Sequence, residues 1–449
     1  MAQDSPLDAP LELGAHPKNH RPTLTGWAMF DWANSAFALV ITVAIFPGYF
    51  LAVTDDTIHL WGQLEVSNST FYSFAISLAY LLIVLVSPWL SGIADAGGRK
   101  MWFLKLFTTM GTIGCLALFW FQGMSTLWVG TIGFILAMIG FAGGLVFYNS
   151  YLPDIATEDM YDRVSARGFA FGYLGSVLLL ILNLVILLHP GFFGLPEEGT
   201  MPARIAFFMV GIWWIGFAQI PFRRLPKDQK NKAEKLSSLA KAGWQEIVKV
   251  WHSLRGLTEI KRFLTGFFFY SMGVQTVLFL AATFAEKELA FSTSQLIIVT
   301  LILQIVAIGG AYLAAWLSEK KGNIFSLSTL LLIWISICVL AYFVESQHQF
   351  YAIAALVGLV MGGVQSLSRS TYSKLLPPET TDTTSYFSFY DVLEKLAIVF
   401  GTFTFGLAEW LTGNIRDSVL ALAVFFVLGL VFILRLHIRQ SKTAGSAIS

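Results

Sequence analysis

Long apolar stretches, each about as long as a bilayer is thick, recur along this chain and constrain its fold more than any other feature. A helix needs roughly 20 mostly apolar residues to cross the hydrocarbon core. Charged residues make up only 13% of the 449 residues, so they are too few to cover the surface of a soluble protein of this size. The sequence therefore predicts an all-α polytopic membrane protein with 12 transmembrane helices. The predicted spans are 26–53, 70–94, 101–122, 126–151, 165–188, 203–222, 260–285, 292–317, 323–344, 349–375, 386–411 and 416–436.

Several function classes are excluded by composition. The net charge of +1 gives no basic field that would attract nucleic acid. No Gly-rich nucleotide-binding loop with its lysine occurs, which argues against ATP-driven transport by this chain. The two cysteines, Cys115 and Cys338, lie in apolar runs, and the seven histidines are scattered over tails and loops. We therefore expect no disulfide, metal or other cofactor, and an embedded enzyme is a weak alternative.

Lysine and arginine are concentrated between the sixth and seventh predicted spans. Eleven basic residues lie between Arg223 and Arg262, whereas the loops at 54–69, 122–126 and 345–348 hold no lysine or arginine. Basic loops stay on the cytoplasmic side of a membrane, so both termini and the central loop are predicted to be cytoplasmic. The polar first 25 residues lack the pattern of a cleaved signal peptide. We expect a multi-pass cell-membrane protein, and a bacterial inner membrane fits best.

The basic loop also divides the chain into two sets of six spans. Within this loop Ile247, Trp251 and Leu254, with Leu236 and Leu239 before them, fall on one face at helical spacing. This pattern predicts an amphipathic helix on the cytoplasmic surface, either as a plain linker between two bundles or with a lipid-sensing or regulatory role. The predicted domains are an N-terminal tail (1–25), a six-helix bundle (26–222), the basic linker (223–259), a second six-helix bundle (260–436) and a C-terminal tail (437–449).

A sequence repeat relates the two predicted bundles. Asp95 and Glu319 follow the second span of each bundle, Pro153 and Pro377 end the fourth, and both pairs are 224 positions apart. Two six-helix halves related about an axis normal to the membrane are the layout of the major facilitator fold, in which the substrate site lies between the halves. Asp95 is followed by Arg99 and Lys100, as in the major facilitator loop signature. The carboxylate can accept hydrogen bonds from a neighbouring helix terminus, which would make a breakable latch.

Specific runs extend the likeness over nearly the whole chain. They are Phe30–Phe37, Phe46–Phe50, Tyr148–Pro153, Ser165–Gly168, Gly172–Gly175, Gly273–Thr276 and Gly362–Ser370. Together they resemble the vacuole-effluxer-like branch of the major facilitator superfamily, named for an autophagy-related amino-acid exporter of the fungal vacuole. Ser271-Met272, Glu394 and Thr402 depart from the pattern of that branch. The resemblance implies efflux of amino acids or of other small solutes.

Ionisable side chains inside spans are costly and usually face a cavity or a partner. The candidates for coupling or gating are Asp31, Asp95, Arg99, Arg167, Arg369, Asp391, Glu394 and Lys395. The candidates for the substrate cavity are the uncharged Asn34, Tyr148, Asn149, Gln275 and Gln365. We also expect the glycines Gly140, Gly143, Gly144, Gly358, Gly362 and Gly363 to mark helix–helix packing faces.

Two alternatives remain open for the charged groups. Asp31 is either a gating carboxylate paired with an arginine or a group that carries a proton or binds substrate. Arg369 is expected to pair with Asp391 or Glu394 as a cytoplasmic gate, and Asp391, four residues before Lys395, can neutralise that lysine.

The sequence thus predicts a secondary transporter that moves a small organic solute by rocking of two halves. We expect efflux of an amino acid or a similar metabolite, coupled to protons, by a monomer embedded in the lipid bilayer. An amphiphilic substrate such as a lysolipid is the alternative, because the spans are rich in aromatic residues. A non-transporting membrane sensor is a further alternative.

Overall fold

The computed structural model describes residues 17–60, 64–228, 236–378 and 380–436, and it is built almost entirely from helices. Within these ranges ten helical segments are both long and apolar enough to cross a membrane. The prediction of a multi-pass helical membrane protein is therefore confirmed. Two further helices, Thr258–Leu289 and Thr383–Thr412, have 32 and 30 residues, which is also enough length to span. The count of twelve spans stays a prediction.

The helices before the basic loop form the N-terminal half. They are α1 (Arg21–Ala36), α2 (Phe46–Val53), α3 (Asn68–Gly97), α4 (Lys100–Ala117), α5 (Leu127–Asn149), α6 (Leu152–Ile155), α7 (Tyr161–Leu188) and α8 (Met201–Arg224). An antiparallel hairpin of β1 (Thr57–Leu60) and β2 (Leu64–Ser67) joins α2 to α3. Short 3₁₀ turns lie at Leu118–Trp120, Met124–Thr126, Glu158–Met160 and Pro190–Phe193.

The remaining helices form the linker and the C-terminal half. They are α9 (Leu236–Gly256), α10 (Thr258–Leu289), α11 (Thr293–Lys321), α12 (Asn323–Tyr342), α13 (Gln347–Leu375), α14 (Thr383–Thr412) and α15 (Ile415–Leu434). Pro88 and Pro221 lie inside α3 and α8, where neighbouring helices in a membrane tolerate them. The bundle boundaries predicted from the sequence remain a prediction, and residues 1–16 and 437–449 lie outside the described ranges.

Between α1 and α2 the first span winds as a π-helix over Phe37–Ile45. Pro47 lies two residues after this segment and has no N–H to donate to the preceding turn. The missing donor disturbs the regular hydrogen-bond ladder, and a π segment is one way in which a helix absorbs such a change. The sequence analysis did not anticipate this segment, although Pro47 was its visible signal.

Each half has its own apolar core. In the N-terminal half Phe46 stacks on Phe134, with ring centroids 4.7 Å apart, whereas Trp334 stacks on Phe426 at 5.0 Å in the C-terminal half. The predicted glycine faces bring helices together at Gly362, where a Cβ would overlap the carbonyl oxygen of Ala307 on α11. Close approach of backbones through small residues is the packing mode that lipid-embedded helices favour.

One face of the bundle carries the start of α1, the end of α15 and the linker helix, and we call it the linker face. Arg262 near the start of α10 donates to the carbonyl oxygen of Arg435 after α15 at 3.1 Å. Asn19 before α1 donates its backbone N–H to the carbonyl oxygen of Ile155 on α6 at 2.8 Å. The two described ends of the chain therefore lie on one side, as an even number of spans requires.

The helix predicted in the basic loop is present as α9. Ile247, Val250 and Leu254 are buried, whereas the side chain of Trp251 is half exposed. The side chains of Leu236 and Leu239 lie outside the described part. Trp251 follows Ile247 at helical spacing, as predicted, but the bundle covers only a narrow stripe of α9.

Candidate functional site

A buried arginine joins the two halves at the centre of the linker-face side. Arg369 lies on α13 in the C-terminal half, and its guanidinium reaches Asp31 on α1 at 3.3 Å. The same guanidinium donates to the Asn149 side chain at 3.1 Å and to the hydroxyl and carbonyl oxygens of Ser165 at 3.0 and 2.9 Å. Tyr148 donates its hydroxyl to Asp31 at 2.7 Å. We call Asp31, Tyr148, Asn149, Ser165 and Arg369 the gate.

The charged pair of the gate is buried and lined by aromatic rings. The side chains of Arg369 and Asp31 are only 3% and 6% exposed. The guanidinium carbon lies 4.2 Å from the ring centre of Phe169, 4.5 Å from that of Trp27 and 5.4 Å from that of Tyr148. Arginine suits such a place because its planar group stacks on rings while it donates several hydrogen bonds. A buried charge with this many partners holds the two halves together firmly.

The partner predicted for Arg369 was wrong. The sequence analysis expected Asp391 or Glu394, whereas the structure pairs Arg369 with Asp31, which is 338 positions away along the chain. Asp31 thus occupies the place of a gating carboxylate paired with an arginine, one of the two alternatives left open for it. Arg167 does not take part, because it donates to Thr25 at 3.0 Å and lies over the ring of Phe171.

Other contacts on the linker face also join the two halves. Asp95 accepts the backbone N–H groups of Thr384 and Ser385, at 3.3 and 2.7 Å, at the start of α14. This is the contact with a neighbouring helix terminus that the loop motif predicted. Lys100 donates to Asp154 at 2.6 Å within its own half and to Thr383 at 2.8 Å across the interface.

Arg99 belongs to the same loop motif but makes a weaker contribution. Its side chain is half-buried and makes no ion pair within the described ranges. Its charge lies near Asp228, which caps the start of α4 by accepting the backbone N–H groups of Met101 and Trp102 at 2.6 and 2.9 Å. Burial raises the pKa of Asp228 above its ordinary value, and the nearby cations oppose that shift only in part.

Sequence reasoning missed a second buried network between the halves. Asp162 on α7 is 3% exposed and binds Lys374 of α13 at 2.6 Å. Asn323 at the start of α12 donates to the same carboxylate at 2.9 Å, and Ser318 on α11 donates to it as well. Nearby, Arg163 and Glu319 form a more exposed pair at 2.6 Å. Asp162 was not among the predicted site residues because it lies just before the predicted fifth span. A charged side chain at the end of a span can reach water and does not by itself indicate a functional site.

On the face opposite the linker face, two ion pairs lie within a single half and do not join the halves. Lys287 pairs with Glu409 at 3.0 Å, and Arg416 pairs with Glu288 at 2.7 Å, both within the C-terminal half. Among the described residues, every ion pair between the two halves lies on the linker-face side. The structure is therefore locked on the linker face.

A second charged cluster lies near the middle of α14. Asp391 and Lys395 are buried and paired, and Glu394 lies 3.3 Å from the same ammonium. Gln275 on α10 donates to Glu394 at 3.2 Å. Lys395 is twelve residues into a 30-residue helix, about 18 Å from its start. We call Asp391, Glu394 and Lys395 the triad.

The triad carries two carboxyl groups and one ammonium. One oxygen of Asp391 is buried without a hydrogen-bond partner in the described part of the chain. Glu394 is the most open member, with a side chain 25% exposed. An excess carboxylate at this depth is costly unless it takes up a proton or a cation.

The five predicted cavity residues do not meet in this conformation. Tyr148 and Asn149 belong to the gate, Gln275 binds the triad, and Gln365 accepts the hydroxyl of Tyr173. Asn34 is fully buried, and neither atom of its amide group has a partner within the described ranges. The expected single polar chamber is thus divided among separate groups while the linker face is closed.

This architecture is that of the major facilitator fold, and comparison with solved structures agrees. The human organic anion transporter MFSD10 (TETRAN) superposes with a TM-score of 0.68 over 93% of this chain and 100% of that one, at 13% identity. FucP in the outward conformation superposes with a TM-score of 0.66 over 92% of this chain and 97% of that one, also at 13% identity. At this identity the likeness establishes the fold alone.

The sequence comparisons identify the family. Residues 19–446 match the family described as Vacuole effluxer Atg22 like, and the chain belongs to that family. It is 28% identical to the uncharacterized MFS-type transporter YxiO of Bacillus subtilis (strain 168), over 91% of this chain and 93% of that protein. It is 24% identical to autophagy-related protein 22 of Eremothecium gossypii, over 94% of this chain and 92% of that protein. The chain is thus an MFS-type transporter and not an enzyme.

Proposed function

We propose that this protein exports a small organic solute, an amino acid or a similar metabolite, by alternating access coupled to protons. The observation that carries the proposal is the one-sided lock, since every described ion pair between the halves lies on the linker-face side. A protein that only scaffolds or senses has no need for halves joined by buried charges on one face alone. A transporter needs such contacts, because they must form and break in each cycle.

We assign gating to the Asp31–Arg369 pair and proton coupling to the triad. Asp31 is paired with Arg369 and accepts a hydrogen bond from Tyr148, so its carboxylate is occupied while the gate is closed. The triad has one carboxyl group more than its ammonium balances, and Glu394 is partly open. One proton that crosses about 150 mV supplies roughly 3.5 kcal/mol, which supports a solute gradient of a few hundredfold.

The coupling assignment is tested by Glu394→Gln in proteoliposomes. The variant should keep exchange of substrate across the membrane, because exchange needs no net proton movement, but it should lose accumulation driven by a pH gradient. Glu409→Gln is the matched control, since Glu409 lies on the same helix in a partly exposed pair with Lys287. Full pH-driven accumulation by Glu394→Gln would remove the triad from the coupling role.

The substrate class is tested in two steps. Metabolite profiling of a deletion strain selects candidate solutes, and purified protein in vesicles is then assayed for saturable flux of each one. Amino acids are expected to move, while a lysolipid in the same vesicles should stay in its leaflet. Lysolipid transfer without amino-acid flux would favour the amphiphilic alternative.

We further propose that the linker face is cytoplasmic, that the protein is a monomer, and that it resides in a bacterial inner membrane. The basic residues of the linker support this orientation. Membrane-impermeant thiol reagents should label Lys241→Cys only after permeabilisation of cells, and Lys287→Cys without it. The opposite pattern would reverse the orientation. Light scattering in detergent should give the mass of one chain.

A further inference from the structure

The linker helix α9 presents an apolar stripe that the described bundle leaves partly exposed. Trp244, Val248 and Trp251 have exposed fractions of 62%, 36% and 50% and follow one another at helical spacing. The buried side of the same helix, with Ile247 and Leu254 among its residues, faces the bundle. Two exposed tryptophans on one stripe are unusual for a surface that faces water.

The position of α9 along the spans shows what the stripe faces. Gly243 packs directly on Gly92 and Ile93 of α3. Gly92 is five residues before the end of α3, about 7.5 Å along its axis. On the other side, the ring of Trp251 lies 5.8 Å from that of Phe389, the seventh residue of α14. The linker helix therefore lies beside the ends of the spans rather than beyond them, at the depth of the boundary between headgroups and acyl chains.

The surface around the stripe matches a charged lipid leaflet. On α3 the exposed Leu85 and Trp89, at 67% and 40%, continue the apolar surface. Lys241 and Arg255 are exposed on either side of the stripe, and Arg255 lies over the ring of Trp251 at 5.7 Å. Residues 223–262 carry eleven basic and four acidic side chains. Tryptophans that anchor at an interface beside lysines and arginines are the pattern of helices that bind anionic membranes.

We propose that Trp244, Val248 and Trp251, flanked by Lys241 and Arg255, form a docking surface for the anionic lipid leaflet on the linker face, and that this docking favours the closed linker face. The inference does not depend on the identity of the substrate.

The link to closure comes from the other contacts of α9. Gly243 holds α9 on α3 of the N-terminal half, while Lys249 binds Asp382 at the start of α14, in the C-terminal half, at 2.7 Å. Although burial acts in the opposite direction, the hydrogen bond that Lys249 donates holds the pKa of Asp382 below its ordinary value. Opening of the linker face moves α3 away from α14, so α9 cannot keep both contacts. A leaflet that holds α9 flat across both halves thus binds the closed state better, and it shifts the equilibrium by that difference.

The docking is tested by nitroxide labels on the full chain in nanodiscs with anionic lipid. Because the native Cys115 and Cys338 are buried, the label should react with a cysteine introduced on the surface. A label at Val248→Cys should be accessible to oxygen and protected from a water-soluble nickel reagent. Ser253→Cys, exposed on another side of α9 about 140° around the helix from Val248, is the matched control and should show the reverse. Equal access of the nickel reagent to both labels would overturn the proposal and leave the stripe to a soluble partner.

The effect on closure is tested by distance measurements between labels at Arg223→Cys and Lys321→Cys, at the linker-face ends of α8 and α11. Adding phosphatidylglycerol to a neutral nanodisc should raise the ratio of closed to open molecules by up to about fivefold for each of the two flanking cations. Trp244→Ser with Trp251→Ser should abolish this lipid dependence. Trp120→Ser with Trp128→Ser, exposed tryptophans distant from α9, should leave it intact. A lipid dependence that survives loss of the stripe, or that favours the open state, would refute the link to closure.

Discussion

Replacement of Asp31 by asparagine should unlock the linker face. The change removes one charge of a pair in which both side chains are at most 6% exposed, and it leaves the guanidinium of Arg369 buried without a counter-ion. Removing one partner of a buried pair typically costs about 3–5 kcal/mol. The lower end applies here, because Asn149 and Ser165 still accept from the guanidinium and Tyr148 can still donate to the new amide oxygen.

A cost of about 3 kcal/mol corresponds to roughly a 150-fold change in the equilibrium between closed and open linker face, provided that water reaches Arg369 when the face opens. The labels at Arg223→Cys and Lys321→Cys report this ratio. Glu319→Gln is the matched control, since it breaks a more exposed pair with Arg163, whose side chain is 62% exposed. Exposed pairs contribute at most about 1 kcal/mol, so its shift should stay within about fivefold.

A double variant that removes both charges of the pair should behave differently from either single variant. Asp31→Asn combined with Arg369→Gln removes both charges and leaves no uncompensated ion. The double variant should therefore recover much of the stability of the closed state, relative to the open state, that each single variant loses. A double variant as open as the sum of the single variants, or an Asp31→Asn shift no larger than that of Glu319→Gln, would refute the buried-pair argument.

Two further variants test the charge of the interface between the halves and the helix packing within the C-terminal half. Lys374→Ala should lower the thermal stability and shift the label distances toward the open state, since it leaves the carboxylate of Asp162 buried with only neutral donors; unchanged distances would show that this pair does not hold the halves. Gly310→Ala should destabilise the fold by about 1–3 kcal/mol, because its Cβ would overlap the carbonyl oxygen of Leu359. The neighbouring Gly309→Ala is the control and should not destabilise the fold, because there is open space around Gly309. Thermal unfolding of both variants measures the difference.

The features that the sequence predicted well are those set by local pattern. Spans follow from apolar length, the division into halves follows from the basic loop, and Lys395 pairs with Asp391 because i and i+4 share a helix face. Asp95 was assigned to a helix terminus because its loop motif implied one, and α14 supplies that terminus. Each of these inferences needed only a short window of residues or a known motif.

The features that it missed depend on which helices meet. Arg369 has carboxylates within reach on several spans, and sequence spacing cannot show that Asp31, from the other half, is the one that α13 faces. Tyr148 was assigned to the cavity because its hydroxyl is polar, yet its ring stacks on Trp27 and its hydroxyl serves the gate. Such choices are made by tertiary packing, and a single sequence carries no record of it.

The repeat predicted from an offset of 224 positions has a physical counterpart in the lock. Asp95 holds the start of α14 in the opposite half, and Glu319, its counterpart in the repeat, holds Arg163 near the start of α7 in the opposite half. In each half, the residues that follow the second span thus contact the start of the fifth span of the opposite half. The two contacts differ in strength, because backbone N–H groups at a helix start bind the half-buried Asp95, whereas the pair of Glu319 and Arg163 is open to water. On the side of α7 and α11 the lock does not rest on that open pair, because the neighbouring Asp162 is buried and binds Lys374 of α13 and Ser318 of α11. We therefore expect loss of the pair of Glu319 and Arg163 alone to leave the linker face closed.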